Sequence, residues 1–396
     1  MNFKDELLKE LTGDILPYWE SRMVDPAGGF HGRRDGTDRL VPGAPKGLIL
    51  NARILWTFSA AARVLGEKGC RDAAKTCLLT AKRARDYILE HFIDRQYGGA
   101  YWSLGADGTP LDTKKQFYAI AFAIYGLAEY HRATGDAEAL EEAIALYRCI
   151  EEHSLDPVRG GYIEACSRDW QPLEDMRLSA KDRNDAKTMN THLHILEGYT
   201  ALLRVWPDDG LRKSLTALID VFTAHIIGTD GHLRLFFDED WRRQDSLRSF
   251  GHDIEASWLL AEAAGLIGGE PLVGDVTATC RKVAQAAMEG FSPDRGMIYE
   301  YDPATGRRDA DRHWWVQAET VVGCYDQWQR GCGPQWLEAS EAAWRFIKGN
   351  LLCPGGEWYW SVRADGTPNT DDDRAGFWKC PYHNSRMCLE LIARGA

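Results

Sequence analysis

The 396-residue chain lacks several features that define common protein classes. Its ten cysteines include no CxxC pair and no zinc-ligand spacing, so the sequence predicts reduced, buried thiols rather than a disulfide framework. No apolar run approaches the roughly 20 residues of a membrane span, and the first 19 residues read as an acidic amphipathic helix rather than a signal peptide. A formal net charge of −12 argues against nucleic acid or an anionic membrane as partner. We therefore expect a cytoplasmic protein.

Aromatic residues are abundant: the chain has 15 Trp, 15 Tyr and 13 Phe. Several cluster beside turn glycines and charges, as in "HWWVQAE", "GGAYW" and "GGEWYW". Exposed aromatic rings in such places are typical of surfaces that stack on sugars. No Pro/Ser-rich linker or charge block divides the chain, so we expect one domain over residues 1–396.

Glycine-plus-aromatic or glycine-plus-aliphatic signals recur six times, 59 to 71 residues apart. Spacing of this size marks a repeat architecture. Each signal predicts a short hairpin or turn. The signals begin at Gly28, Gly98, Gly160, Gly231, Gly296 and Gly355.

Between the signals lie pairs of segments with helical periodicity. With the N-terminal helix and a last helix over 379–395, they predict about twelve helices. The pairs are 46–66 with 70–92, 114–135 with 136–153, 186–206 with 209–227, 251–268 with 276–291, and 312–331 with 334–351. The expected fold is all-α, an (α/α)6 barrel with short β-hairpins at one end. An open helical solenoid remains the alternative.

The first helix after each glycine signal carries polar residues in its early turns. Antiparallel helical hairpins in a ring would bring all six of these helix starts to one end, where a binding pocket is expected. The residues are Asn51 and Arg53; Gln116 and Tyr118; Asn190, His192 and His194; His252 and Glu255; Trp315, Gln317 and Glu319; and His383, Asn384 and Arg386.

Spacing within two of these helices supports a site. Asn190 and His194 are i,i+4, and His252 and Glu255 are i,i+3, so each pair shares a helix face. A carboxylate beside an imidazole orients it and raises its basicity. The same spacing also suits a metal site in a helical bundle. We expect no metal, because we see no second pair of this kind.

At these residues the chain resembles the N-acylglucosamine 2-epimerase superfamily, and within it the cellobiose 2-epimerases. The resemblance spans essentially the whole chain. It rests on "KGLILNARILWTFSAA", "RLSAKDRNDAKTMNTHLHILEGYT", "SFGHDIEASWLL", "WWVQAE" and "FWKCPYHNSRMCLE". His313 in "RHWW" departs from the family pattern. The resemblance implies the same barrel and an isomerase that needs neither a metal nor a cofactor.

The resemblance also implies a reaction. The C2 hydroxyl of the reducing-end glucose of a β-1,4-linked disaccharide would be epimerised, turning cellobiose into glucosyl-mannose and lactose into epilactose. The route would be ring opening and two-histidine proton transfer through an enediolate. The roles carried over are His252 and His383 as acid/base residues, His194 in ring opening, Glu255 as partner of His252 and Arg53 on the reacting oxygens. Asn190, Asp182, Tyr118, Trp315, Glu319 and Trp378 are expected to bind the sugar.

The chemistry suits these residue types. A C2 hydrogen becomes acidic only beside a carbonyl, so the hemiacetal has to open first. A histidine is a suitable base near neutral pH, and a cation such as Arg53 stabilises the enediolate. Proton return at C1 instead of C2 would give a ketose as a side product.

Other functions remain open at this point. A mannose 2-epimerase or mannose isomerase would share the histidines. An (α/α)6 glycoside hydrolase would use two carboxylates such as Glu255 and Glu319, but it gives no reason for three histidines. A non-catalytic sugar-binding protein needs the tryptophans alone. The expected partner is a small sugar, and the expected state is a monomer or weak homodimer.

Overall fold

The computed structural model describes residues 3–179 and 182–395. In this part of the chain the α-helices are α1 (Phe3–Glu10), α2 (Leu16–Arg22), α3 (Leu48–Glu67), α4 (Arg71–Tyr87), α5 (Phe117–Thr134), α6 (Ala137–His153), α7 (Met189–Val205), α8 (Asp209–Val221), α9 (Phe250–Ile267), α10 (Leu272–Ala287), α11 (Trp314–Gln329), α12 (Pro334–Asn350) and α13 (Tyr382–Arg394). A π-helical segment, Leu11–Ile15, joins α1 to α2 in one continuous helix. Similar segments, Ile88–Phe92 and Phe222–Ile226, extend α4 and α8.

The helices form two concentric rings. In the inner ring each helix contacts the next in the order α3, α5, α7, α9, α11, α13, and α13 contacts α3. Each inner helix also packs mainly against one outer helix: α4, α6, α8, α10 and α12 on the first five, and α1 on α13. The contact between α13 and α3 closes the ring, so the predicted (α/α)6 barrel is confirmed and the open solenoid is wrong.

The inner helices are buried on almost every face because they lie between two neighbours and the outer ring. Helix α3 is long and apolar enough to cross a membrane by length and composition, which corrects the expectation that no segment has that length. Its apolar stretch is 94% buried inside the barrel, as expected for a core helix. Gly126 on α5 lets α3 and α5 approach closely, because an added Cβ would lie 2.7 Å from the Ala52 carbonyl oxygen.

The six glycine signals form the predicted turns. Each is flanked by a short antiparallel pairing at the end of an outer helix. Five are single bridges: Val24–Phe30, Ile93–Ala100, Leu155–Tyr162, Ile227–Leu233 and Leu352–Trp358. The sixth is a two-stranded hairpin of Phe291–Ser292 with Gly296–Met297.

Further short strands, which the sequence did not predict, join neighbouring repeats; they are numbered together with the two strands of that hairpin, which are β9 and β10. The strands are β1 (Lys46–Gly47), β2 (Ser103–Leu104), β3 (Pro110–Asp112), β4 (Lys115–Gln116), β5 (Ala165–Cys166), β6 (Lys187–Thr188), β7 (Phe236–Phe237), β8 (Arg248–Ser249), β9 (Phe291–Ser292), β10 (Gly296–Met297), β11 (Glu300–Tyr301), β12 (Arg308–Asp309), β13 (Arg312–His313) and β14 (Ser361–Val362). Five antiparallel pairs link the start of one inner helix to the loop before the next: β1–β2, β4–β5, β6–β7, β8–β11 and β13–β14. A bridge between Arg34 and Ala375 completes the circle.

A basic residue in the segment before each inner helix fixes this arrangement. In four repeats it is a buried lysine whose ammonium meets a carboxylate beside the glycine turn. The pairs are Lys46–Asp25 at 2.7 Å, Lys115–Asp94 at 2.9 Å, Lys187–Asp156 at 2.9 Å and Lys379–Glu357 at 2.6 Å. Arg248 and Asp230 form a more exposed pair at 3.0 Å. Each pair therefore ties a glycine turn to the base of the helix that follows.

We predict that one of these pairs is essential to stability. Asp94→Asn would leave the Lys115 ammonium, which is fully buried, without a counter-charge. Loss of one partner from a buried pair costs about 3–5 kcal/mol. Urea denaturation should show a loss of that size in the free energy of unfolding. Lys82→Ala, which breaks an exposed pair with Asp86, is the control and should change it little. Equal effects of the two substitutions would contradict the structural role of the strand lysines.

Candidate active site

The predicted site residues on the inner helices share one register. Counted from the basic residue before each inner helix, they stand three, four or seven positions on, which places them on one helix face. Position three holds Tyr118, Asn190 and Trp315; position four holds His252 and His383; position seven holds Arg53, His194, Glu255 and Glu319.

Other polar residues at the helix starts have structural roles. Two of them, His192 and Gln317, hold the glycine turns to the inner helices. His192 uses both ring nitrogens in this way: Nδ1 lies 2.6 Å from the Thr188 carbonyl oxygen, and Nε2 accepts from the Tyr162 N–H at 2.9 Å. Gln317 bonds both backbone groups of Met297 at 2.8 Å.

Arg386, on α13, organises the end of the barrel that holds the site. Its Nη2 lies 2.5 Å from Glu255 Oε1 and 2.6 Å from Glu319 Oε1. Its Nη1 donates to Glu197 Oε1 and to the Tyr382 hydroxyl oxygen. The guanidinium and the three carboxylates are buried. One cation therefore joins α7, α9, α11 and α13.

Three carboxylates around one guanidinium cannot all ionise freely. Burial, together with the charge of Glu319, raises the pKa of Glu255 to about 8. Burial opposes ionisation of Glu197 as well, but Arg386 and His194 outweigh it and hold its pKa below the usual value. Glu255 is therefore inclined to hold a proton near neutral pH.

His383 is backed by this cluster. Its Nδ1 lies 2.7 Å from Glu319 Oε1 and 4.0 Å from Glu255 Oε1. The second oxygen of Glu319 accepts from Trp258 Nε1 at 3.1 Å. With both oxygens engaged inside the protein, Glu319 orients His383 and does not have the sugar-binding position predicted for it.

His194 is held in a similar way on α7. Its Nδ1 lies 3.0 Å from Glu197 Oε2. The imidazole packs edge-on against Tyr118, with ring centroids 5.0 Å apart, and against Phe122 at 4.6 Å. Burial lowers its pKa despite the neighbouring carboxylate.

His252 has a different partner from the one predicted. Its Nδ1 lies 2.7 Å from Ser249 Oγ, whereas Glu255 turns to Arg386. The expectation that Glu255 partners His252 is therefore wrong, because the guanidinium competes for the carboxylate. Trp315 contacts both acid/base candidates, with ring centroids 4.7 Å from His252 and 5.5 Å from His383.

The three histidines share one feature that matters for catalysis. Each engages Nδ1 with a protein partner, and no hydrogen bond to another described residue reaches Nε2. Burial lowers the pKa of His252 to about 3 and the pKa of His383 well below its usual value. Burial therefore favours the neutral form of these imidazoles near pH 7, and Nε2 of each can accept or give a proton according to its tautomer.

Arg53 supplies a positive charge beside the histidines. Its Nη2 donates to the Tyr118 hydroxyl oxygen at 2.8 Å, and its Nη1 lies 3.6 Å from Cys380 Sγ. The guanidinium stacks over Phe122, 4.1 Å from the ring centroid. Its Nε has no protein partner among the described residues. Arg53 therefore keeps part of its hydrogen-bonding capacity for a ligand.

The remaining predicted binding residues lie nearer the rim. Asn190 is half-buried, and its Oδ1 has no hydrogen-bond partner in the described residues. Trp378 is half-buried, and its ring centroid lies 6.2 Å from that of Tyr118 on α5. In the sequence it stands five positions before His383. Asp182 accepts from the Ser179 hydroxyl at 2.7 Å, and its charge contributes to raising the pKa of Tyr299.

The sequence reasoning missed three residues that complete the site, Glu197, Ser249 and Tyr382, and it listed Arg386 without its organising role. His194 and Glu197 have the same i,i+3 spacing as His252 and Glu255, so the statement that no second pair exists was wrong. Glu255, Glu319 and His383 offer ligand atoms within 4.8 Å of one another, which would suit a metal ion. Arg386 Nη2 already provides the positive charge to both carboxylates there.

Known proteins resemble the chain along its whole length. The sequence profile of the N-acylglucosamine 2-epimerase (GlcNAc 2-epimerase) family matches residues 28–385. A cellobiose 2-epimerase of Bacteroides fragilis is 55% identical, with 98% of each chain covered. The solved structure of cellobiose 2-epimerase from Bacillus thermoamylovorans B4167 matches with a TM-score of 0.92 at 38% identity, covering 99% of each chain.

A more distant structure, a D-mannose isomerase, matches with a TM-score of 0.84 at 18% identity and covers 100% of this chain and 99% of its own. It shows the shared fold alone. The closer relatives confirm the predicted enzyme class, an isomerase of the sugar 2-epimerase type. From its sequence and its fold, the chain belongs to the N-acylglucosamine 2-epimerase family.

Proposed function

We propose that this enzyme inverts C2 of the reducing-end glucose of cellobiose and related β-1,4-linked disaccharides, lactose included. The names of the relatives support the substrate class. The observation that carries the mechanism is the set of buried histidines anchored through Nδ1, two of which contact Trp315.

Ring opening comes first, because the C2 hydrogen is acidic only beside a carbonyl. The reaction moves the anomeric hydroxyl proton away and protonates the ring oxygen. His194 is suited to this shuttle, since Glu197 holds its Nδ1 and Nε2 remains for the sugar. Tyr118 and Arg53 lie next to it and would orient the opened chain.

Inversion then requires one proton to leave C2 on one face and another to arrive on the opposite face. In the direction in which His252 is the base, its neutral Nε2 takes the C2 proton. The electron pair of the C2–H bond then forms the enediolate, which carries its negative charge on the former carbonyl oxygen. Rotation about C2–C3 presents the other face to His383, which reacts as the neutral tautomer with its proton on Nε2 and gives that proton to C2. Its Nδ1 then takes a proton from the Glu255–Glu319 pair, since burial raises the pKa of Glu255 to about 8. His252 is left as an imidazolium, and it loses its extra proton while the carboxyl pair regains one, by exchange with solvent before the next turnover.

The negative charge that develops on the enediolate oxygens needs stabilisation in a dry site. Arg53 supplies it from a position fixed by Tyr118 and stacked on Phe122. A preorganised cation there acts without a metal ion. The proposed route needs neither a metal nor an organic cofactor, since every proton has a protein donor or acceptor.

Hydrolysis is disfavoured by the geometry of the carboxylates. An inverting glycosidase separates its two carboxyl groups by roughly 6.5–9.5 Å across the scissile bond. Glu255 and Glu319 instead meet at one nitrogen of Arg386. Epimerisation or isomerisation of mannose remains the second candidate, because it would use the same histidines.

We predict that His252→Ala and His383→Ala each lose about 10²–10⁴-fold in kcat, the range for positioned proton transfer. Chromatographic assay of cellobiose conversion measures this, and circular dichroism checks the fold. His91→Gln, a partly exposed site on the outer ring, is the control and should keep wild-type turnover. A variant of either catalytic candidate that retains more than about a tenth of the wild-type rate would remove that residue from the mechanism.

The choice between disaccharide and monosaccharide is tested at Trp378. An indole at the rim can stack on the second sugar, and binding energy from a remote ring helps position the reacting one. We expect Trp378→Ala to lower kcat/KM for cellobiose about 10- to 100-fold, by analogy with aromatic stacking on bases. Activity on mannose should change much less. Equal losses on both sugars, or a wild-type preference for mannose, would contradict the disaccharide assignment.

A further inference from the structure

Ser249 occupies an unusual position relative to His252. It is the residue just before α9, where a serine hydroxyl normally accepts a hydrogen bond from a backbone N–H of the first turn. No such cap is present, and Oγ instead lies 2.7 Å from His252 Nδ1. Ser249 is fully buried. The hydroxyl therefore serves the imidazole rather than the helix.

The equivalent residue of another repeat behaves differently. Thr188 also follows the strand cation of its repeat and stands just before α7. Its hydroxyl oxygen accepts from the Thr191 N–H at 3.2 Å, as a helix cap should. The same place in the repeat is thus used for capping in α7 and for a histidine contact in α9.

The backbone holds Ser249 firmly in place. It lies in β8, paired with Glu300 of β11. The His252 ring, which Ser249 contacts, also packs against the Trp315 ring. The imidazole is therefore fixed between a strand residue and an indole, and the direction of Nε2 is fixed with it.

A hydroxyl and a carboxylate differ as partners of an imidazole. The carboxylate of Glu197 behind His194 only accepts when ionised, so it favours a proton on Nδ1 of that histidine. The Ser249 hydroxyl can accept from Nδ1–H or donate to a bare Nδ1, so both neutral tautomers are satisfied. The other titratable groups that act on His252 are His194 on α7 and Glu319 on α11.

We infer that Ser249 is a positioning residue of the epimerase: its hydroxyl orients the His252 ring and supports both of its neutral tautomers, so that Nε2 can take or give the C2 proton. This inference rests on the proposed role of His252. It predicts an effect on turnover rather than on substrate binding.

The test compares Ser249→Ala, Ser249→Thr and Thr188→Ala. Ser249→Ala should lower kcat for cellobiose by about tenfold or more, the scale for residues that orient a functional histidine, with KM nearly unchanged. Ser249→Thr keeps the hydroxyl and should restore most of kcat. Thr188→Ala should lower the melting temperature and leave kcat close to wild type. ¹⁵N NMR of histidine-labelled protein should show a changed tautomer population in Ser249→Ala alone.

Wild-type kcat in Ser249→Ala, or failure of threonine to rescue it, would overturn the inference. If Ser249→Ala does not fold, Ser249→Cys replaces it: a loss of kcat at constant KM supports the role, and wild-type kcat overturns it. Failure of the proposed function gives a different result. In that case His252→Ala itself would remain active, whatever the Ser249 variants do.

Discussion

The structure depends on the buried guanidinium of Arg386. Three carboxyl groups from α7, α9 and α11 meet it, and any of them that ionises would be an uncompensated buried charge without it. Two of these carboxylates in turn hold histidines: Glu197 anchors His194 and Glu319 anchors His383. The geometry of the catalytic candidates is thus set by the same contact that joins four inner helices.

This arrangement also sets the charge state of the site. Burial and the charge of Glu319 raise the pKa of Glu255 to about 8, so this carboxyl is inclined to hold a proton. Burial disfavours the imidazolium form of His252, and burial together with Arg386 and Arg53 does so for His383. Of the three histidines, only His252 has a hydroxyl group as the partner of its Nδ1. The two faces of C2 would therefore meet one histidine held by a serine and one held by a carboxylate. Each turnover would therefore draw its proton from a protein group, and that group would exchange with solvent between turnovers.

The fold and the helix faces that form the site could be predicted from the sequence, because both follow from periodic patterns. The six glycine signals and the helical pattern predicted the barrel, and the polar positions at the helix starts predicted which face forms the site. Spacing on a helix gives the face but not the partner, so it could not show that Glu255 bonds Arg386 instead of His252. The two-residue strands between repeats are too short to show the alternation of a β-strand, although a basic residue recurs in those that precede the inner helices. Trp378 and Asp182 lie in loops, where only the resemblance to the family pointed to them.

The central claim is that the C2 proton is exchanged through the side chains at the end of the barrel. Conversion of cellobiose in D₂O, with the product analysed by NMR and mass spectrometry, tests it most directly. The account predicts one solvent-derived deuterium at C2 of the mannose unit of every product molecule, because the proton that returns comes from a different histidine than the one that took it. A product that keeps the original C2 hydrogen would contradict the account, since the hydrogen would then have moved within the sugar or through a bound carrier.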